Sequence, residues 1–180
     1  MRRVNPLYWC GILARNGRGV AAIEFALVAP VTILLYVGSY QLADAIGVNR
    51  KVTVTARSLA DLTTQYTSLT QSEADSILNA ATQVMSPYDS APGTYRISEL
   101  AIDNAGAAKV VWSKSRNGTA RTVNSTVALP SGVAQTNSYI VMAEVSYTYV
   151  PRIAVTLIGN INIGDTIYMY PRRSNSISLQ

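Results

Sequence analysis

The stretch VAAIEFALVAPVTILLYVGSY, Val20 to Tyr40, decides how the rest of the chain is read. It holds a single charge, Glu24, in 21 residues. At a rise of 1.5 Å per residue a helix of that length spans about 30 Å, the thickness of a bilayer core. Tyr36 and Tyr40 suit the far membrane interface, and Gln41 and Asp44 mark the exit. Pro30 removes one backbone hydrogen bond, which a membrane helix tolerates with a kink. Gly38 and Ser39 are small enough to let a neighbouring helix approach, and are equally acceptable as ordinary members of the span.

Outward from this stretch, charge falls unevenly. The net charge is +5 over 180 residues. Arg2, Arg3, Arg15 and Arg18 all precede the apolar run, which leaves 11 Lys and Arg against 10 Asp and Glu in the remainder. The basic balance therefore belongs to the N-terminal tail, and the positive-inside rule places that tail in the cytoplasm. The rest has no basic run and no basic–aromatic stripe, so nucleic acid is not an expected partner. The one cysteine, Cys10, is in the same tail, so no intrachain disulfide forms. There is no histidine. Beyond the tail the chain thus lacks the parts for a Ser-His-Asp or Cys-His site and for a typical zinc site. Asp61, Glu73, Asp75, Asp89, Glu99, Asp103, Glu144 and Asp165 are scattered and read as solvated groups or caps. Neither catalysis, cofactor, metal nor small-molecule substrate is expected.

Three readings of the apolar segment compete: a plain signal anchor, a cleaved secretory signal with a small-x-small site at Ala43-Asp44-Ala45, and an assembly helix in which Glu24 has a role. An ionisable residue inside a membrane span is costly and usually functional. Near the end of the span it can also simply reach back to the headgroups.

The local string Arg18-Gly19-Val20-Ala21-Ala22-Ile23-Glu24-Phe25 adds a spacing. A glycine closes the basic tail, and Glu then an aromatic follow five and six residues later. This resembles the processing site of type IVb prepilins, and the continuation Phe25-Ala26-Leu27-Val28-Ala29-Pro30 is similar to the TadE-like minor pseudopilins of tight-adherence (Tad/Flp) pili. The resemblance implies that a prepilin peptidase cuts between Gly19 and Val20 and that the helix is kept. The new amine of Val20 and the Glu24 carboxylate, on one chain or on neighbours, would then offset each other's desolvation.

Past the membrane, Leu42, Ile46, Asn49, Val52, Ala56, Leu59, Leu62 and Tyr66 recur at three- and four-residue steps. The spacing predicts one helix over 20–66 whose second half is amphipathic. Val52-Thr53-Val54-Thr55 opposes this by its β-branching, and Gly47 is an expected soft point. Thr70-Gln71-Ser72-Glu73 has the form of a capping box for a second helix with apolar Ala74, Ile77, Leu78, Ala81, Val84 and Met85, ended by Ser86-Pro87. Strands are expected at Tyr95–Asp103 and Ala107–Ser115 as a hairpin, and a short one at Thr122–Val127 in an exposed loop. The clearest strand is Tyr139–Val150, with Val141, Ala143, Val145, Tyr147 and Tyr149 on one face; a last one covers Thr166–Tyr170, beginning as early as Ile161. The expected class is α+β, pilin-like, with a long N-terminal helix, one short helix and an antiparallel sheet of about four strands. The 11 tyrosines admit two readings, a face for neighbouring subunits or ordinary core packing, of which packing is the simpler.

The expected organisation is a basic cytoplasmic leader over 1–19, a transmembrane helix over 20–41, its amphipathic extension over 42–66 and a periplasmic α+β domain over 67–180. The resemblance implies a single-pass inner-membrane protein with a structural, assembly role, either entering the pilus or only priming its assembly. Its partners would be the prepilin peptidase, the major Flp pilin, other minor pseudopilins, the inner-membrane secretion platform and the lipid bilayer. The processing residues would be Gly19, Val20, Glu24 and Phe25, with Glu24 also acting in assembly. The alternative is a membrane-tethered periplasmic binding or sensing domain on an uncleaved anchor.

Overall fold

The computed structural model describes residues 19–153 and 159–180; apart from Gly19, the expected leader lies outside them. The chain divides after Ala43 into two units. Helix α1, Val20–Thr64, is continuous through Pro30 and ends two residues short of the expected limit. In the first unit it is exposed almost throughout. Gly47 does not soften it. A Cβ there would come within 2.5 Å of the Tyr88 hydroxyl, so the glycine serves a close approach rather than a bend.

The second unit is α+β. After α1 come β1 (Ser68–Leu69), α2 (Gln71–Val84), β2 (Gly93–Ile102), β3 (Ala108–Arg116), β4 (Thr126–Val127), β5 (Ser138–Tyr149), β6 (Ile161–Met169) and β7 (Ser178–Leu179). The main sheet has five strands in the order β4-β3-β2-β5-β6, all antiparallel neighbours, one more than expected. The extra member is β4, the two-residue remnant of the short strand expected over 122–127. A parallel pair, β1 with β7, was not foreseen from the sequence.

Local chemistry sets these elements. At the start of α2 the Thr70 hydroxyl accepts from Glu73 N at 3.2 Å, while the Glu73 carboxylate accepts from Thr70 N at 2.8 Å, completing the capping box. The Gln71 N–H donates to the Gln180 carbonyl at 3.1 Å, so the C-terminal strand closes over the same helix start. In β5, Val141, Ala143, Val145, Tyr147 and Tyr149 all enter the core shared with α1 and α2. Ile140 and Met142 point to the opposite side, where they join Leu100, Ile102, Val110 and Val127 under the 117–137 loop. Both faces of β5 are thus partly apolar, which is why it lies inside the sheet.

Glu99 corrects the expectation that the acids are solvated. It is 1% exposed on the α1 side of β2, in register with the inward-facing Tyr95 and Ile97. Its carboxylate accepts from Trp112 Nε1 at 3.0 Å and from Ile177 N at 2.6 Å. Trp112 Nε1 also donates to the Ile177 carbonyl at 2.6 Å. The pair holds the C-terminal segment against the sheet. Burial pushes the Glu99 carboxyl up from 4.5 to about 7, against these two hydrogen bonds, which favour the charged form. The native state therefore binds a proton between those values that the unfolded chain does not. The stabilisation is full below the unfolded value and is lost as the pH rises through the native one. Glu73 and Glu144 are both held below the ordinary carboxylate value, so their effects fall in a lower window and have the opposite sign.

Unfolding of the detergent-solubilised full chain should accordingly lose roughly 3 kcal/mol of stability between pH 4.5 and 8. Glu99→Gln should flatten that dependence, and urea midpoints across the range check it.

Candidate functional site

Gly19 stands just before α1, Val20 is its first residue, and Glu24 follows four residues later. Residues at that separation share a helix face one turn apart. Phe25 comes next and is 74% exposed. The four expected processing residues are therefore together at the start of the helix, all on its exposed surface. A Cβ at Gly19 would meet nothing within 4 Å, so nothing in the fold itself requires a glycine there.

From this start the helix is apolar on every side. An 18-residue window reaches a mean hydropathy of 2.2 with none of it buried. Among the described residues this is the one helix long and apolar enough to cross a membrane. Its threonine and serine hydroxyls are internally satisfied: Thr32 Oγ1 donates to the Val28 carbonyl at 3.0 Å and Ser39 Oγ to the Leu35 carbonyl at 2.8 Å. Neither needs water, as lipid requires.

Beyond Asp44 the same helix has one buried face. Val48, Val52, Ala56, Leu59 and Ala60 are fully buried, at steps of three, four and one. Val52 and Thr55, part of the β-branched run that opposed a helix, lie on that face, and Thr55 Oγ1 returns to the Lys51 carbonyl at 2.7 Å. Burial outweighs propensity here. Polar contacts fix the flanks. Thr53 Oγ1 donates to Asp165 at 2.6 Å, Lys51 Nζ to the Val84 carbonyl at 3.2 Å, and Arg172 pairs with Asp61 at 2.6 Å.

Asp44 accepts from Tyr149 at 2.9 Å and from Tyr88 at 3.3 Å. Burial, then the Asp44 carboxylate, pushes the Tyr149 hydroxyl up to about 12, and Tyr88 rises for the same reasons. Both phenols thus remain neutral donors. Tyr147 and Tyr149 are 7% and 5% exposed, which decides for core packing over a subunit-facing patch. On the other side of the sheet Glu144 receives Arg121 at 2.7 and 2.8 Å and Arg96 at 3.2 Å. Arg96 Nε also donates to the Thr119 carbonyl at 2.9 Å. Burial raises the Glu144 carboxyl, but the two arginines outweigh it and hold it below the usual range. This network ties the 117–137 loop to the sheet.

Residues 19–61 match the family described as TadE-like protein. The match begins at the glycine before α1 and runs through both its apolar and its half-buried parts. It covers the motif on which the resemblance rested and stops before the sheet. No curated protein and no solved structure matches the chain. A match to that family points to a Tad-pilus-associated component, and the apolar length of the helix suits membrane anchoring.

The two parts of α1 should respond differently to truncation. Leu59→Ala should cost about 3 kcal/mol of domain stability, the usual price of a buried Leu cavity. Leu34→Ala, at 69% exposed, should leave it unchanged in urea titrations of the micelle-bound protein.

Proposed function

We propose that this protein is a minor pseudopilin-like assembly component of a Tad/Flp pilus system, cut by a prepilin peptidase between Gly19 and Val20. The observation that carries this reading is the placement of Gly19 at the helix start with Glu24 one turn inside it, within a TadE-like segment that begins at that glycine. Cutting there leaves an ammonium on Val20 at the membrane edge. Glu24 lies on the same face, within reach of that amine or of a neighbouring subunit's. Pairing offsets the cost of holding a carboxylate in the span.

In this reading the helix is the assembly element. The organisation is a cytoplasmic leader, a single span, its amphipathic extension and a periplasmic domain. The partners are the peptidase, the major Flp pilin, other minor pseudopilins and the inner-membrane platform. The role is structural rather than catalytic.

The mature protein should have an intact mass beginning at Val20; a full-length chain, or one starting at Ile46, would sink the proposal. Gly19→Ala should abolish cutting. Glu24→Ala should still be cut but should lose assembly, read as fibres sheared from cells; normal fibres in that variant would remove the pairing role.

A further inference from the structure

We propose that the free edge of β6, with Arg57 of α1 beside it, takes up an extended acidic segment of a partner protein as a sixth strand of the main sheet. Three observations meet at this edge.

The first is the backbone. β6 ends the five-stranded order and, among the described residues, pairs only with β5. Alternate residues of an antiparallel ladder turn their N–H and C=O groups to opposite edges. Two contacts tell which ones turn outward. Thr148 N of β5 donates to the Pro92 carbonyl at 3.3 Å, on the β2 side, so the odd-numbered residues of β5 bond to β6. Their partners Ile163, Asp165 and Ile167 therefore turn their backbone groups to β5. Thr166 N donates to Asp165 Oδ1 at 2.8 Å instead, outside the ladder. Asn162, Gly164 and Tyr168 share its parity and present their backbone groups to the free edge. Asp165 blunts that edge at one amide only.

The second is the groove. A cleft of about 640 Å³ follows the edge from Thr166 to Tyr170, with Arg57 on one side and Val133 on the other. Tyr170 Oη donates to the Val133 carbonyl at 2.5 Å, which fixes that wall. Ile167 and Met169 line the cleft on the α1 face of the sheet, and Tyr168 lines it on the opposite face. An added strand would find a surface for its side chains on each face, as their alternation requires.

The third is charge. Thr53, Arg57 and Asp61 follow one another at steps of four on one face of α1. Thr53 donates to Asp165 at 2.6 Å, and Asp61 pairs with Arg172 at 2.6 Å. Arg57, between them, is exposed and has no hydrogen bond or ion pair among the described residues. An unopposed guanidinium thus lines the groove where a carboxylate on the added strand would complete the series. The ladder supplies the affinity and Arg57 the preference. A second β6 would not serve: its one acid, Asp165, is already held by Thr53 and the Thr166 amide. The inference concerns the domain alone and does not depend on cutting after Gly19.

The test uses the detergent-solubilised full chain and fluorescein-labelled hexapeptides of alternating Thr and Val. Each carries a Glu, a Gln or a Lys at one inner position in turn. Anisotropy titrations should show saturable binding by a Glu peptide, several-fold weaker binding with Gln, and weaker again with Lys. Arg57→Glu breaks no hydrogen bond or ion pair of the fold and should reverse that order. Methylating every peptide amide should abolish binding, and bound peptide should slow hydrogen exchange at Gly164 and Tyr168. No saturable binding by any Glu peptide at millimolar concentration would overturn the proposal. So would equal binding of the methylated peptide, or an order unchanged in Arg57→Glu. Concentration-dependent dimers that protect the same amides would give the edge to a second copy and overturn it as well.

Discussion

One continuous helix has to satisfy two solvents. From Val20 to Tyr40 its side chains are almost all exposed, and apolarity on every side is the composition that lipid accepts. From Val48 onward only one face is apolar, because only one face meets the sheet. The buried positions 48, 52, 56, 59 and 60 form that face, and the inward side chains of β2, β3 and β5 lie against them in a single core. Both parts keep the same backbone geometry. The change from one solvent to the other is made entirely by side chains.

The core so formed is not purely apolar, and its exceptions have structural work. A buried carboxylate is tolerated only when its oxygens are satisfied. Glu99 meets that condition with Trp112 and the Ile177 amide, and both partners bear on the C-terminal segment. That segment then pairs with β1 and supplies the acceptor for the first amide of α2. Glu144 acts likewise on the other face, where two arginines converge on it and one of them also holds the Thr119 carbonyl. In each case an acidic side chain ties an irregular segment to the regular sheet.

What was legible in the sequence follows from how local each cause is. The capping box lies within four residues, and α2 begins where it says. The alternation in β5 is contained in the strand, and its inward face is as read. The β2–β3 hairpin is signalled by its own turn. The pairing of β1 with β7 joins segments over a hundred residues apart through two residues each, too short for any pattern to show. Glu99 was open to a stricter reading: Tyr95 and Ile97 face inward at period two, and the next member of that series is residue 99. Its acidity hid it. The Asp44–Tyr88–Tyr149 cluster combines α1, a loop and β5, so only the fold brings it together. At the residues of the proposed processing site the reverse holds. The sequence carries the spacing in full, and the fold adds only that Val20 and Glu24 share one face.

The division of α1 also separates two kinds of constraint. In the second part a side chain is held by volume, since each buried residue touches several neighbours and any loss opens a cavity. In the first part volume matters little, because lipid adapts to whatever surface it meets, and what remains constrained is polarity. A carboxylate at position 24 is therefore anomalous where it stands, while any of its apolar neighbours is replaceable by another. Nothing in the domain's packing calls for it, as it contributes to neither core. Such a group is costly in a span unless it reaches the headgroups or its charge is compensated. The nearest source of compensation along the chain is the amine that cutting after Gly19 would create, one turn away on the same face. In the proposed reading the carboxylate and the glycine would account for each other, and the packing of the domain requires neither.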